Sequence, residues 1–169
     1  MSFKRFGMTL CVAFAAVTLA RATTPAEFFV AAQFTNAPAP SALVITGEVA
    51  TAIQEIMGHP FARNQVPYWQ AEGKTVWVLE TRGRSNTITA GFVVRDGRME
   101  KTEVLVYRER RGGEIKARSF TRQFDGVSLA EGRRLDRRID GITGATISVN
   151  AMQNVARVAL YLTALTLAR

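Results

Sequence analysis

Thiols are almost absent from this chain: its 169 residues hold one cysteine, Cys11, and it lies inside an apolar run near the N-terminus. That excludes a disulfide framework and any Cys-based zinc or iron–sulfur site. Histidine is equally scarce. His59 stands alone between Gly58 and Pro60 and reads as a turn residue, because zinc sites draw on three or four clustered ligands. Acids are in deficit too, 14 Asp and Glu against 22 Lys and Arg, for a net charge of +8. Such a balance by itself points to nucleic acid or an anionic surface. Missing as well are a Rossmann-like glycine fingerprint, a paired base and nucleophile, an internal repeat and a low-complexity tract. No apolar run reaches the roughly 20 residues of a confident membrane span.

What is present is a chain of one-domain length with 47% hydrophobic residues, enough for a real core. Its start has the form of a secretory signal. Lys4 and Arg5 precede an apolar run from Met8 to Ala20, and Ala20-Arg21-Ala22 offers the small residues a signal peptidase inspects. Cleavage after residue 22 would remove Lys4, Arg5 and Arg21 and no acid, lowering the net charge from +8 to +5. The expectation is a periplasmic protein with residues 1–22 as signal peptide, an uncleaved anchor being the alternative. Export would separate the chain from genomic DNA, so nucleic acid is set aside as a partner.

Residues 23–47 read as an N-terminal extension or linker. Within it Ala26 to Phe34 could form one short helix, and Asn36 to Pro40 a linker or turn. Glu48 to Met57 carries Val49, Ile53, Ile56 and Met57 at helical spacing and stops at Gly58. Ala62 to Gly73 looks irregular; its Pro67-Tyr68-Trp69 could line a ligand pocket but suits a core edge better. Lys74 to Glu80 is a strand by its branched and aromatic content. Asn86 to Arg95 and Met99 to Tyr107 joined by Asp96-Gly97 form the strongest hairpin signal in the chain. Ser119 to Phe124 suggests one or two helical turns burying Phe120 and Phe124, ended by Gly126. Arg133, Arg134, Arg137 and Arg138 make a basic run, read first as a solvated face and second as a docking patch for an acidic partner. Ser148 to Leu167 is a long apolar-faced helix. The predicted fold is α+β: an antiparallel sheet of about four strands, one face buried under flanking helices, and a long C-terminal helix.

The segment from Asp140 to Ser148, D-G-I-T-G-A-T-I-S, joins a glycine turn and hydroxyls to the start of that helix. Gly141 and Gly144 allow backbone angles that other residues avoid, and a Thr or Ser before a helix can cap its free amides. The same helix mouth favours an anion. Spacing alone leaves both a capped helix and a phosphate site open, the capped helix being the commoner. It does not separate Thr143 from Thr146. Upstream, Arg108 to Glu114 places two glycines among arginines, equally open to a phosphate cradle and a solvated loop.

This segment resembles the signature of the FMN-binding domain family, whose members include the C subunit of the sodium-pumping NADH:quinone reductase and the Rnf G subunit. Asp140, Thr143, Gly144, Ala145, Thr146 and Ser148 fill the family's positions without a departure. The resemblance covers the chain from about residue 48 onward, which implies an FMN-binding domain over 48–169. It also implies covalent FMN on Thr146, joined through a phosphoester made by a dedicated flavin transferase. Glu109, Gly112 and Gly113 resemble, more loosely, a family loop that approaches the flavin. The implied role is electron carriage between a membrane redox partner, such as a cytochrome or quinone reductase complex, and an extracytoplasmic acceptor. A small flavin reductase and a non-redox sensor or assembly factor are the rival readings, and whether the protein is an enzyme in its own right is left open.

Overall fold

Strand-forming residues crowd the middle of the chain, and in the computed structural model, which describes residues 23–61 and 63–168, they assemble there into one antiparallel sheet. The expected signal peptide and Cys11 lie outside the described residues. Strands β1 (Ser41–Val44), β2 (Gln65–Ala71), β3 (Lys74–Arg82), β4 (Thr87–Arg95) and β5 (Arg98–Val106) lie side by side in chain order. The expected hairpin is β4–β5. Asp96 at φ 50° and Gly97 at φ 71° provide the left-handed pair that a two-residue turn between twisted strands needs. Glu72 and Gly73, at φ 54° and 73°, repeat the device between β2 and β3.

The sheet has five strands where about four were expected. The region from Ala62 to Gly73, read as irregular, contains β2, and the additional β1 falls within the 23–47 stretch. Pro67 misleads the reading because proline gives no ladder N–H. Here it is paired on one side only, with Ala42 of β1, because the ladder to β3 begins at Tyr68 and leaves its other side without a partner strand. The aromatics beside it belong to packing: Tyr68 stacks on Trp77 with ring centroids 5.1 Å apart, and Trp69 packs against the other face of the sheet.

Period-two alternation sends side chains to two faces. Trp77 and Leu79 of β3 join Ile88, Ala90, Phe92 and Val94 of β4 beneath helices α2 (Gly47–Met57) and α4 (Thr146–Leu167). Trp77 is completely buried; at ~25 cal/mol per Å² over the 150–250 Å² such a ring covers, that is roughly 4–6 kcal/mol of transfer free energy. Its indole N–H donates to Thr163 Oγ1 at 2.8 Å, and that hydroxyl donates to the Ala159 carbonyl at 2.9 Å. The opposite face is covered as well, where the sequence suggested burial on one side. Helix α1 (Pro25–Ala31), capped by Thr24, lays Phe29 and Val30 over Val76 and Val93. Gly91 makes room for it: any Cβ there would strike the Phe29 ring.

Between β5 and α4 the chain makes a short 3-10 turn at Gly113–Lys116, then α3 (Arg118–Thr121) and a second turn to Phe124. Phe120 and Phe124 are buried edge to face, as their spacing predicted, and Gly126 at φ 76° follows. A small ribbon, β6 (Leu129–Ala130) with β7 (Arg134–Leu135), leads to α4. Among the described residues no helix is long and apolar enough to cross a membrane.

Candidate functional site

The turn before α4 is closed by Ala145 N–H donating to the Ile142 carbonyl at 3.0 Å, with Gly144 at φ 82° in the left-handed region. This sets the start of α4 at Thr146, two residues before the expected Ser148, and puts Ala145 at the N-cap. The expected hydroxyl cap is therefore not made. Ala145 has no side chain to accept with, and Thr146, already on the helix, presents an exposed side chain outward. The first amide of this end to enter the helical ladder is Val149, which donates to Ala145 at 3.0 Å. The amides of Thr146, Ile147 and Ser148 lie ahead of that bond, at the positive end of a 22-residue helix.

Two other stretches face this end. Together they bound a cleft of about 630 Å³ lined by residues 84–86, 109–111 and 144–148, within the usual ~300–1,000 Å³ of small-molecule sites. Residues 84–86 are the β3–β4 turn, and residues 109–111 follow β5. The cleft wall is basic: Arg84, Arg110 and Arg111 line it, and none has an ion-pair partner among the described residues.

Glu109 is the carboxylate in that wall, and it faces the turn rather than open solvent. Its Oε1 accepts from the amides of Ser85 at 2.7 Å and Asn86 at 2.9 Å. Asn86 replies by donating its side-chain amide to the Arg108 carbonyl at 3.2 Å. These bonds, the Asn86 amide foremost, hold the Glu109 carboxyl below the usual carboxylate range. Gly83 borders the same contact and leaves no space for a Cβ between Glu109 and the Asn86 carbonyl.

Tyr107 fastens the loop after β5 to the helix. Its hydroxyl donates to the Arg111 carbonyl and lies 3.1 Å from Ser148 Oγ. A phenol has one proton to give, so Ser148 is the donor in the second bond. Gly112, at φ 82°, passes under this junction, and a Cβ there would sit 2.9 Å from the Tyr107 hydroxyl and 3.1 Å from Ala145 Cβ.

Of the residues singled out in the sequence, Thr146, Gly144, Ala145, Ser148 and Glu109 share the cleft. Gly112, Gly113 and Thr143 border an adjoining recess of about 560 Å³ that shares Arg110, Arg111 and Gly144 with the cleft and also holds Glu114 and Lys116. Thr146 thus lines the cleft and Thr143 the recess beside it. Asp140 lines neither; its amide donates to Gln123 Oε1 at 2.7 Å, which pins the signature turn to the segment after α3. Sequence reading passed over Arg84, Ser85, Asn86, Tyr107 and Gln123. The R-G-R-S-N run at 82–86 marks a turn with cations, which was a usable signal; nothing local distinguishes Tyr107 or Gln123. The basic run is partly absorbed by structure, since Arg133 pairs with Glu55 at 2.7 Å and lies over the Tyr161 ring.

A family model described as FMN-binding domain matches residues 83–161. That span opens at the Gly83 turn and reaches Tyr161 in α4, so it takes in all three walls of the cleft. No curated protein matches the chain.

Proposed function

We propose, from the premise that residues 83–161 belong to the FMN-binding domain family, that this is an exported flavin-binding protein that carries FMN covalently on Thr146 and passes electrons. The flavin-binding assignment rests on the family match. The finer reading is carried by one observation: Thr146 is the exposed hydroxyl at the first position of α4, in the cleft lined by Arg84, Arg110 and Arg111.

The donor set suits a phosphate monoester or diester. Free amides of the first helical turn and nearby guanidinium groups both favour an anion, the arginines through paired N–H donors. Ile147, about half exposed, and Ala145 supply apolar surface in the same cleft for a ring system. FMN, when bound, supplies a ring that accepts and donates one or two electrons. The chain's own part is to hold and orient it. Tyr107 and Glu109 fix the loops bearing Arg84, Arg110 and Arg111, and Gly144 at φ 82° makes the left-handed turn that leads into the helix.

Attachment would use a flavin transferase. A bond forms between Thr146 Oγ1 and the flavin phosphorus as a pyrophosphate P–O bond breaks, the hydroxyl proton passing to the transferase and a nucleotide phosphate leaving. Tethering suits the export expected from residues 1–22. Holding a scarce cofactor non-covalently at nanomolar concentration would require about −12 kcal/mol of binding free energy, which a covalent bond makes unnecessary. The partners proposed are this transferase and a membrane redox protein such as a cytochrome or quinone reductase complex.

Coexpression with a flavin transferase in an exporting host tests the attachment. Flavin fluorescence should travel with the protein band on a denaturing gel, disappear in Thr146→Ala and persist in Thr143→Ala. An exported protein that stays colourless while the same transferase labels a known acceptor would end the covalent reading. Label surviving Thr146→Ala would end the choice of residue.

A further inference from the structure

The arginines of this protein divide into two groups. Arg63, Arg95, Arg98, Arg118, Arg133 and Arg137 each have a carboxylate partner within 4.0 Å. Nine arginines have none among the described residues, and five of these, Arg82, Arg84, Arg108, Arg110 and Arg111, gather around one place. Arg84, Arg110 and Arg111 line the cleft with Thr146, while Arg82 and Arg108 line the adjoining groove that shares Ser85 and Asn86 with it. All five are exposed. The carboxylate within the cleft wall, Glu109, is committed to the Ser85 and Asn86 amides.

We infer that this arginine collar is the docking surface for an acidic redox protein, whose electron-transfer centre it brings against the cleft. The inference rests on the proposed flavin attachment for the nature of the partner. A phosphate esterified at both ends keeps one ionised oxygen, so a single negative charge cannot use five guanidinium groups. The surplus is a field pointed outward at the cleft mouth, the arrangement that raises encounter rates with an oppositely charged surface. In the cleft beside Arg84, Arg110 and Arg111 stands Ile147, 49% exposed, giving an apolar point among charged groups, as protein interfaces have. A membrane surface fits less well. Peripheral insertion uses a stripe of large apolar side chains, and Ile147 is the one large aliphatic residue lining the cleft. The unpaired Arg134 and Arg138 belong to the basic run before the signature and line neither cleft nor groove.

The probe is an acidic plant-type ferredoxin carrying a fluorescent dye, titrated with the purified flavin-loaded protein and read by anisotropy. Association should be present at low ionic strength and weaken as salt approaches about 0.15 M, where the Debye length is about 8 Å. Arg108→Glu with Arg110→Glu should weaken it by about tenfold or more, and Arg134→Glu with Arg138→Glu by less than about twofold. Thermal midpoints of both variants establish that each is folded. Equal losses in the two variants, or no salt-dependent association at all, would overturn the proposal. So would binding to phosphatidylglycerol vesicles without binding to ferredoxin, which would make the collar a membrane contact. Labelling of the unsubstituted protein separates the two readings. Collar-dependent binding by an unsubstituted protein that never takes the flavin label from an active transferase would sink the attachment and leave the docking surface; a labelled protein whose association ignores the collar would do the reverse.

Discussion

The hydroxyls of Tyr107 and Ser148, 41 residues apart in the chain, meet at 3.1 Å, and the phenol at the same time donates to the carbonyl of Arg111. One side chain thereby joins the end of β5, the arginine-bearing loop and the first turn of α4. Replacing it with phenylalanine keeps the ring and removes both bonds. Tyr107→Phe should destabilise the protein by about 1–3 kcal/mol, because the buried Ser148 hydroxyl loses its partner. Adding Ser148→Ala should cost less than the sum of the single changes, since the pair acts as a unit. Denaturant midpoints measure this; strict additivity would show that the contact is not coupled.

Adjacent glycines at 112 and 113 should behave differently. Gly112 is at φ 82° with the Tyr107 hydroxyl and Ala145 in the way of a side chain, whereas a Cβ on Gly113 meets only Lys116 Cε at 3.8 Å. Gly112→Ala should lose about 1–3 kcal/mol, combining left-handed strain with overpacking. Gly113→Ala should fall within about 0.5 kcal/mol of the parent. Equal melting temperatures for the two variants would contradict the close approach at Gly112.

Glu109 makes the β3–β4 turn sensitive to pH. Its folded-state pKa is depressed by the Asn86 and Ser85 amides. The ordering it supplies is therefore complete above the ordinary carboxylate range and is lost as pH falls through the depressed value, when the protonated carboxyl ceases to be a charged acceptor. Amide exchange at Ser85 and Asn86, corrected for intrinsic pH dependence, should accelerate over that acid range. Glu109→Gln should show the faster exchange already at neutral pH and lack the acid transition.

In the core, Thr163→Val preserves shape while removing the acceptor of the Trp77 indole N–H. With the indole fully buried, leaving its donor unpaired should cost about 1–3 kcal/mol. Thermal or denaturant unfolding would record the loss. Flavin labelling at Thr146 should be unaffected, because this contact lies 17 residues further along α4.

Much of this architecture was readable from local pattern. Residues Glu48 to Gly58, the Asp96-Gly97 hairpin and the Phe120–Phe124 pair declare themselves because a helix stop, a left-handed turn and an i,i+4 contact are set by residues near one another in sequence. The signature from Asp140 to Ser148 is likewise local, and the match over 83–161 agrees with the family it suggested. Strand β2 was hidden because Pro67 opposes strand formation, and only the register shows that it lies outside the ladder to β3, with a partner on one side alone. The cap was misjudged for a similar reason: which residue becomes the N-cap depends on where the turn closes, and Ala145 closes it on Ile142.

By itself, then, the sequence determined the α+β class, three of the five strands, the glycine turn and the presence of two candidate threonines. Only the tertiary structure decided that Thr146 lines the cleft and Thr143 the recess beside it, that Glu109 holds a distant turn, and that five unpaired arginines line the cleft and its adjoining groove. Backbone dihedral preferences and side-chain periodicity act over a few residues. The walls of the cleft come from residues 84–86, 109–111 and 144–148, and only packing across the sheet and α4 brings such separated stretches together.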